Sequence, residues 1–318
     1  MKKKVLIDCD PGHDDMIAIM LACCSKEIEV LGITTVAGNQ TGDKTYLNAH
    51  KVLKLINRED LRIARGYDFP LFKKLVTAPE IHGVSGLDGA ALPEIYIKTK
   101  PEHALDFIIS TLMSSQEKVW LIPTGPLTNI ASSLLKEPLI KEKIEKIVLM
   151  GGAVCDSNIT PSAEFNIFVD PEAARIVFES GLPITMVGLD VTNKALFTFE
   201  YIDLLDSFGG KVSAVVAPLL KFFARTNLEI FSFPGAPLHD ALAVAYVIDP
   251  TVLTTKYWNV KIETKGEFTS GRTVVDVYNI TGDKPNAEVA MEIDLPKFKN
   301  MIFNMIKHYD GLACNHIL

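Results

Sequence analysis

The sequence predicts an α/β protein built on an open, mostly parallel sheet with helices on both faces. Strand-like apolar runs alternate with helix-like segments along most of the 318 residues, and the early strands each run directly into a turn and a helix. This alternation is the pattern of parallel, Rossmann-like sheets. No repeat, charge block or linker rich in proline, glycine and serine divides the chain, so we expect residues 1–318 to form a single domain.

The predicted unit at the start of the chain is a strand, a tight turn and a helix. Residues 5–9 form an apolar run typical of a buried strand, and Pro11 and Gly12 favour a turn. Residues 16–24 are apolar enough for a buried helix. One eight-residue stretch of this unit contains four carboxylates: Asp8, Asp10, Asp14 and Asp15.

These carboxylates indicate a site for a hard cation. Ligands of an open α/β sheet bind beyond the carboxyl ends of its strands, and such a dense group of negative charges requires a cation held by oxygen ligands. Helix capping explains Asp14 or Asp15 singly, although it does not explain the whole set. A calcium loop of the EF-hand type is disfavoured because Gly12 and His13 break its ligand spacing. A haloacid-dehalogenase-like phosphotransferase also begins with a strand and two such acids, and the residues alone leave it open.

The same patterns predict the remaining elements in order. We predict strands at residues 29–36, 61–64, 119–122, 146–150, 184–189, 257–263, 273–279 and 288–293. We predict helices at residues 43–56, 102–115, from about 127, 171–180, 200–208, 212–228, 241–247 and 296–309. The long segment 66–101 is predicted to be irregular, and residues 234–237 are predicted to break the chain.

Three loop segments carry further candidate residues. The glycine-rich stretch 81–89 contains His82, and long loops inside compact domains are usually functional, although a lone histidine is more often structural. The strand end at 123–129 could turn backbone carbonyls toward a cation. The polar run 158–166 contains side chains that could bind sugar hydroxyls or stabilise the loop itself: Asn158, Glu164 and Asn166.

A histidine and an aspartate open the predicted helix 241–247. That helix is apolar on every face and is therefore expected to be buried. A charged carboxylate at the N-terminus of this helix, that of Asp240, requires a partner. His239 directly precedes Asp240.

Composition excludes several function classes. The formal charge of −7 and the lack of a basic stripe argue against a nucleic-acid partner. The five cysteines are an odd number without metal-ligand spacing, which indicates reduced thiols in a cytoplasmic protein. The apolar run that follows the basic residues 2–4 is stopped by Asp8, and no other run is long enough to span a membrane.

Six segments together resemble a known enzyme family. They are Asp-Cys-Asp-Pro-Gly-His-Asp-Asp, Ala-Gly-Asn-Gln-Thr, His-Gly-Val-Ser-Gly, Pro-Thr-Gly-Pro-Leu-Thr-Asn, Ala-Glu-Phe-Asn and Pro-Leu-His-Asp. Their order and spacing resemble the inosine-uridine-preferring nucleoside hydrolases over essentially the whole chain. Gly-Leu-Asp-Gly after Ser85 and Gly-Ala-Pro before Leu238 look most like the pyrimidine-specific ribonucleoside hydrolase branch. The resemblance displaces the phosphotransferase, which also needs a lysine and a serine or threonine to hold phosphate.

The resemblance implies the nucleoside hydrolase fold and Ca²⁺-dependent hydrolysis of ribonucleosides to ribose and free base, with uridine and cytidine preferred, in nucleoside salvage. It implies four ligands of one Ca²⁺: Asp10, Asp15, the backbone carbonyl of Thr124, and Asp240. Asp10 matches the general base that activates the attacking water. The residues that match ribose contacts are Asp14, Asn39, Asn158, Glu164 and Asn166.

The base pocket is where the chain departs from the family pattern. His82 and His239 match residues that help the base to leave, and Phe223 could supply an apolar wall. However, Val84 stands where relatives often carry glutamate, and tyrosines of some relatives are replaced near Phe223 and Asn227. A broad or purine-preferring hydrolase therefore stays open, as do a non-catalytic calcium-dependent nucleoside-binding protein and a phosphorolytic enzyme. The family also suggests a homo-oligomer, a tetramer or a dimer.

Overall fold

Nine strands form the central sheet of the computed structural model, which describes residues 2–97 and 100–313, so that Cys314 lies outside the described residues. In chain order the strands of the protein are β1 Lys3–Cys9, β2 Ile28–Thr35, β3 Ile63–Arg65, β4 Val119–Pro123, β5 Ile144–Met150, β6 Ile184–Val187, β7 Leu196–Thr198, β8 Gly235–Pro237, β9 Leu253–Ile262, β10 Thr273–Asp276 and β11 Ala287–Ile293. Strands β7 and β8 pair separately as a small antiparallel sheet.

The helices alternate with these strands. They are α1 His13–Cys24, α2 Gly42–Leu55, α3 Pro79–His82, α4 Ala104–Ser114, α5 Thr128–Lys136, α6 Phe165–Val169, α7 Pro171–Phe178, α8 Leu189–Thr192, α9 Phe199–Asp206, α10 Ser213–Phe231, α11 His239–Ile248 and α12 Leu295–Tyr309. Short 3-10 helices cover Pro138–Lys143 and Pro250–Val252. None of the described helices is long and apolar enough to cross a membrane.

The large sheet is mostly parallel, as the sequence predicts. Its strand order is β10-β9-β11-β6-β5-β4-β1-β2-β3. The seven strands from β11 to β3 run parallel, and only β9 runs against them at the far edge, where it pairs with β11 and β10. The predicted α/β class with an open, mostly parallel sheet is therefore confirmed.

Both faces of the sheet are covered because the central strands are apolar on both sides. Val5 and Ile7 of β1 join a core with helices α1, α10, α11 and α12. Leu6, which points to the other face, joins a second core with helices α4, α5 and α7. Strands buried on both faces contain near-continuous apolar runs, which explains why periodicity located β1, β4 and β5 closely.

Several short elements were not predictable from the sequence. Helices α3, α6 and α8 have four or five residues each, too few for a periodic signal. The predicted break at 234–237 is strand β8, which pairs with β7 about forty residues earlier in the chain. The predicted strand 273–279 ends at Asp276, and Asn279 has a positive φ of 53°, a conformation that strand residues do not adopt.

Candidate active site

Four buried carboxylates meet at the carboxyl end of β1. Asp10 directly follows β1, Asp14 and Asp15 lie in the first turn of α1, and Asp240 lies in the first turn of α11. Because α1 packs against α11, carboxylate oxygens of Asp14, Asp15 and Asp240 come within 4.8 Å of one another. These three carboxylates thus include that of Asp14, which the resemblance assigns to ribose binding. Asp10 lies beside the three.

Neighbouring backbone and amide groups hold two of these carboxylates in place. Asp15 accepts hydrogen bonds from the backbone N–H of Gly12 (3.0 Å), the Asn39 side chain (3.1 Å) and the Thr124 hydroxyl (2.8 Å). Asp10 Oδ2 accepts the backbone N–H of Asn39 at 2.6 Å. Polar atoms from three strand ends therefore converge on the acids, since the parallel strands β1, β2 and β4 end at one edge.

The cluster strongly favours a positive partner. Burial, followed by the neighbouring aspartates, raises the pKa of Asp10 and of Asp240 well above the usual range and raises the pKa of Asp14 to about 7. Among the described residues, Asp10 Oδ1 and Asp14 Oδ1 are buried without a hydrogen-bond partner. An all-oxygen donor set with such orphaned atoms fits a hard cation such as Ca²⁺.

The metal-free protein is expected to lose stability as the pH rises from about 4 to about 7. In the folded protein the pKa of Asp14 rises from 3.8, and that of Glu164 from 4.5, to about 7. The folded state therefore binds more protons than the unfolded chain across this window, and the stability that those protons provide is lost above it. Melting temperatures in chelator at pH 5 and pH 7.5 test this, and Ca²⁺ should narrow the difference. Equal melting temperatures in chelator would contradict it.

A cavity of about 260 Å³ opens above the cluster. The predicted site residues that line it are Asp14, Asn39, His82, Thr124, Asn158, Glu164, Asn166, Phe223, His239 and Asp240. The predicted residues Asp10 and Asp15 do not line it and are completely buried. Residues that the sequence analysis did not assign to the site complete the lining; among them are Ile81, Ile159, Phe165, Ile230 and Phe231. Scattered apolar residues carry no local signal that could have identified them.

The polar residues of segment 158–166 that line the cavity also stabilise the local backbone. Glu164 caps α6 and accepts backbone N–H bonds, among them that of Asn166 at 2.9 Å. Burial raises the pKa of Glu164 to about 7, although these bonds oppose the shift. Asn166 donates to the Thr124 carbonyl at 2.8 Å, and Asn158 accepts the backbone N–H of Phe165 at 2.9 Å. These side chains are therefore pre-oriented by the loop that they stabilise.

His82 is held in a stack of rings. Its ring centroid lies 5.3 Å from that of Phe223 and 5.5 Å from that of His13, and its Nδ1 lies 3.2 Å from His13 Nδ1. His13 Nε2 lies 2.8 Å from the carbonyl of Asp88 and must donate to it, because a carbonyl only accepts. Burial holds the pKa of His82 well below its usual value, so this ring is neutral at neutral pH.

His239 also lines the cavity. It begins α11 beside Asp240, and its Nδ1 lies 2.7 Å from the hydroxyl of Thr192. Burial lowers the pKa of His239 to about 4, so it too is neutral. Both cavity histidines were predictable from the sequence, but their partners His13 and Thr192 were not, because these contacts join distant segments of the chain.

Comparisons with known proteins identify the family of the chain. The family described as inosine-uridine preferring nucleoside hydrolase matches residues 5–300. The pyrimidine-specific ribonucleoside hydrolase RihA of Escherichia coli O1:K1 / APEC is 46% identical over 310 residues, which cover 97% of this chain and 100% of that protein.

Solved structures show the same fold. A purine-preferring ribonucleoside hydrolase from Gardnerella vaginalis matches with a TM-score of 0.90 at 35% identity, covering 98% of this chain and 100% of the other. An inosine-guanosine nucleoside hydrolase matches with a TM-score of 0.88 at 29% identity, covering 96% and 99%. The resemblance read from the motifs is confirmed: the chain belongs to the inosine-uridine preferring nucleoside hydrolase family, whose members cleave the N-glycosidic bond of ribonucleosides.

Proposed function

We propose that the protein is a Ca²⁺-dependent hydrolase of pyrimidine ribonucleosides that releases ribose and uracil or cytosine. The observation that carries this proposal is the cavity, which joins a carboxylate cluster to a compartment lined by Phe223, His82 and His239. The carboxylate cluster suits a ribose ring that becomes positively charged, and the compartment suits a flat base. The 46% identity to a relative named pyrimidine-specific supports the choice of base.

The proposed Ca²⁺ ligands are Asp10, Asp15, Asp240 and the backbone carbonyl of Thr124. When bound, the cation would offset the clustered charges, lower the pKa of water and orient ribose hydroxyls. Asn166 supports this assignment because its hydrogen bond orients the Thr124 carbonyl. The proximity of Asp14 to Asp15 and Asp240 makes Asp14 a residue that reaches both the cation and the ribose diol.

The carboxylates carry out the proposed chemistry at C1′. Asp10 takes a proton from water, the water oxygen bonds to C1′, and the electron pair of the C1′–N bond leaves with the base. Positive charge develops on C1′ and the ring oxygen, as in other glycoside hydrolysis, and the surrounding carboxylates stabilise it. Asn39 and Asp14 hold the ribose so that this charge develops beside them.

The departing base needs hydrogen-bond donors. A pyrimidine lacks the basic N7 of a purine, so the negative charge must be dispersed through its carbonyl O2. His82 and His239 line the compartment, and both are neutral because burial disfavours the charged ring. For His82 to donate to the base, its proton must lie on Nε2 while its Nδ1 accepts the backbone N–H of His13 at 3.4 Å. Phe223 excludes water beside them, which strengthens each hydrogen bond.

Uridine and cytidine are expected to exceed inosine and guanosine by at least about tenfold in kcat/KM, about 1.4 kcal/mol in transition-state binding. A reducing-sugar assay in phosphate-free buffer measures this and also excludes phosphorolysis.

His239→Ala should lower kcat on uridine by about 100-fold and change KM less, whereas His308→Ala on the exposed surface of α12 serves as the control. Inosine as the best substrate, or unchanged turnover in both His82→Ala and His239→Ala, would show that the compartment is misassigned.

A purine preference is the second candidate. Its support is the solved purine-preferring relative, which shares 35% identity and the whole fold. The expectation that Val84 lies in the base pocket is wrong, because Val84 is exposed and does not line the cavity; it therefore favours neither candidate. The same four-substrate assay separates the two candidates, because a purine-preferring enzyme would cleave inosine and guanosine with a higher kcat/KM than uridine and cytidine.

Uridine 5′-monophosphate is expected to be cleaved with a kcat/KM at least about 100-fold below that of uridine, about 2.7 kcal/mol. Glu164 lies where the 5′ end is expected, and no lysine or arginine of the described chain lines the cavity to offset a phosphate. Parallel assays of the two substrates measure the ratio, with 5′-deoxyuridine as an uncharged control. Comparable kcat/KM values would contradict the proposed orientation of ribose.

The same proposal includes a biological setting. We infer that the enzyme acts in nucleoside salvage in the cytoplasm and assembles as a homo-oligomer, a tetramer or a dimer. Light scattering coupled to gel filtration measures the assembly, and a monomer at assay concentration would contradict it.

A further inference from the structure

The hydroxyl of Thr192 makes a close contact with the ring of His239. Thr192 ends helix α8 and is completely buried, and its Oγ1 lies 2.7 Å from His239 Nδ1. Neither element is near the other in the chain, since 47 positions separate the two residues. The contact exists because α8 and α11 pack together at the edge of the cavity.

The direction of this hydrogen bond follows from the surroundings of the hydroxyl. Within the described part of the chain, Thr192 Oγ1 has no other hydrogen-bond partner than His239. If the ring donated to the oxygen, the hydroxyl proton would be buried without an acceptor, which costs about 1–3 kcal/mol. Thr192 therefore donates, and His239 Nδ1 accepts.

This direction determines where the neutral ring carries its proton. A neutral imidazole has one N–H, so an accepting Nδ1 requires the proton on Nε2. The ring is only partly buried and lines the cavity, and Nε2 has no hydrogen bond to any described residue and is not among the buried unpartnered atoms. Its N–H is therefore free to meet a ligand in the cavity.

We propose that Thr192 is a positioning residue that holds His239 in the Nε2–H form, so that this N–H donates to the carbonyl O2 of the departing pyrimidine. The proton stays on the ring: as the C1′–N electron pair moves into the base, the hydrogen bond stabilises the charge on O2. The base then takes its proton from water. This inference rests on the proposed cleavage of pyrimidine nucleosides.

Two substitutions separate positioning from packing. Thr192→Val keeps the shape but removes the donor, whereas Thr192→Ser keeps the donor. We expect Thr192→Val to lower kcat on uridine by about 10- to 100-fold with KM changed less than about threefold, and Thr192→Ser to recover most of the rate. Thr45→Val is the matched control, because Thr45 is also completely buried and, among the described residues, its hydroxyl bonds only to Gly42 within α2.

Two further readouts test the hydrogen bond itself. Long-range ¹H–¹⁵N spectra of the Ca²⁺-loaded enzyme should show His239 protonated at Nε2, and Thr192→Val should populate the Nδ1–H form. p-Nitrophenyl riboside, whose leaving group needs no donor, should be cleaved by Thr192→Val at close to the wild-type rate, since the carboxylates are unchanged.

The outcomes distinguish this inference from the proposed function. Wild-type protein that fails to cleave uridine overturns the pyrimidine assignment. The spectra still show which ring nitrogen of His239 carries the proton. Wild-type His239 protonated at Nδ1 overturns the inference even if Thr192→Val does not fold. Unchanged kcat on uridine in Thr192→Val also overturns it, as does an equal loss of rate on p-nitrophenyl riboside, which would indicate a packing role.

Discussion

Asp10→Ala is expected to lower kcat on uridine by about 10³-fold or more, because the substitution removes both the proposed base and one cation ligand. The carboxylate is confined: a Cβ on Gly38 or on Gly125 would collide with it. Its Oδ2 is committed to the backbone N–H of Asn39, and its Oδ1 has no partner among the described residues. The free oxygen is therefore the one available to a water molecule.

Asp10→Asn makes the sharper test. The amide oxygen can still accept the N–H of Asn39 and preserve the local structure, but the group can no longer take a proton. We expect nearly complete loss of kcat together with measurable Ca²⁺ affinity. The control is Asp8→Asn: Asp8 is equally buried nearby and also has one unpartnered oxygen, Oδ2. Its Oδ1 accepts from Thr34 and Asn129, which are not bonded to the acid cluster in the described chain. If Asp10→Asn kept a tenth of the wild-type kcat, another residue would have to be the base.

Removal of Ca²⁺ is expected to abolish activity. Without a counter-charge, burial raises the pKa of Asp15. Burial, followed by repulsion from neighbouring aspartates, raises the pKa of Asp10, Asp14 and Asp240. A protonated Asp10 cannot accept a proton from water, and protonated neighbours lack the charge that stabilises C1′.

The measurement is uridine turnover after prolonged chelation, with the residual metal content determined in parallel. Added Ca²⁺ should restore the rate, and the Asp240→Asn variant should need more Ca²⁺ for half-maximal recovery. Lys261→Ala, on the surface away from the site, should recover as wild type does. Full turnover by protein shown to contain no metal would refute the assignment.

The sequence by itself determined the fold class and which polar residues lie together at one edge of the sheet. Apolar runs such as residues 5–9 are local signals of buried strands, and the parallel sheet that they imply brings their carboxyl ends to one edge. Asp10, Asn39 and Thr124 follow three of those ends and are brought together in the structure. Their convergence was predictable because it follows from strand direction and not from side-chain packing.

Only the tertiary structure decided how the histidines are used and which oxygens lie together. The stack of His82 on Phe223 and the bond of Thr192 to His239 each join segments that are far apart in the chain. Likewise, the approach of Asp14 to Asp240 depends on how closely α1 packs on α11. Such contacts depend on the summed packing of both cores, which is non-local, whereas sequence patterns report only the local preferences of the chain.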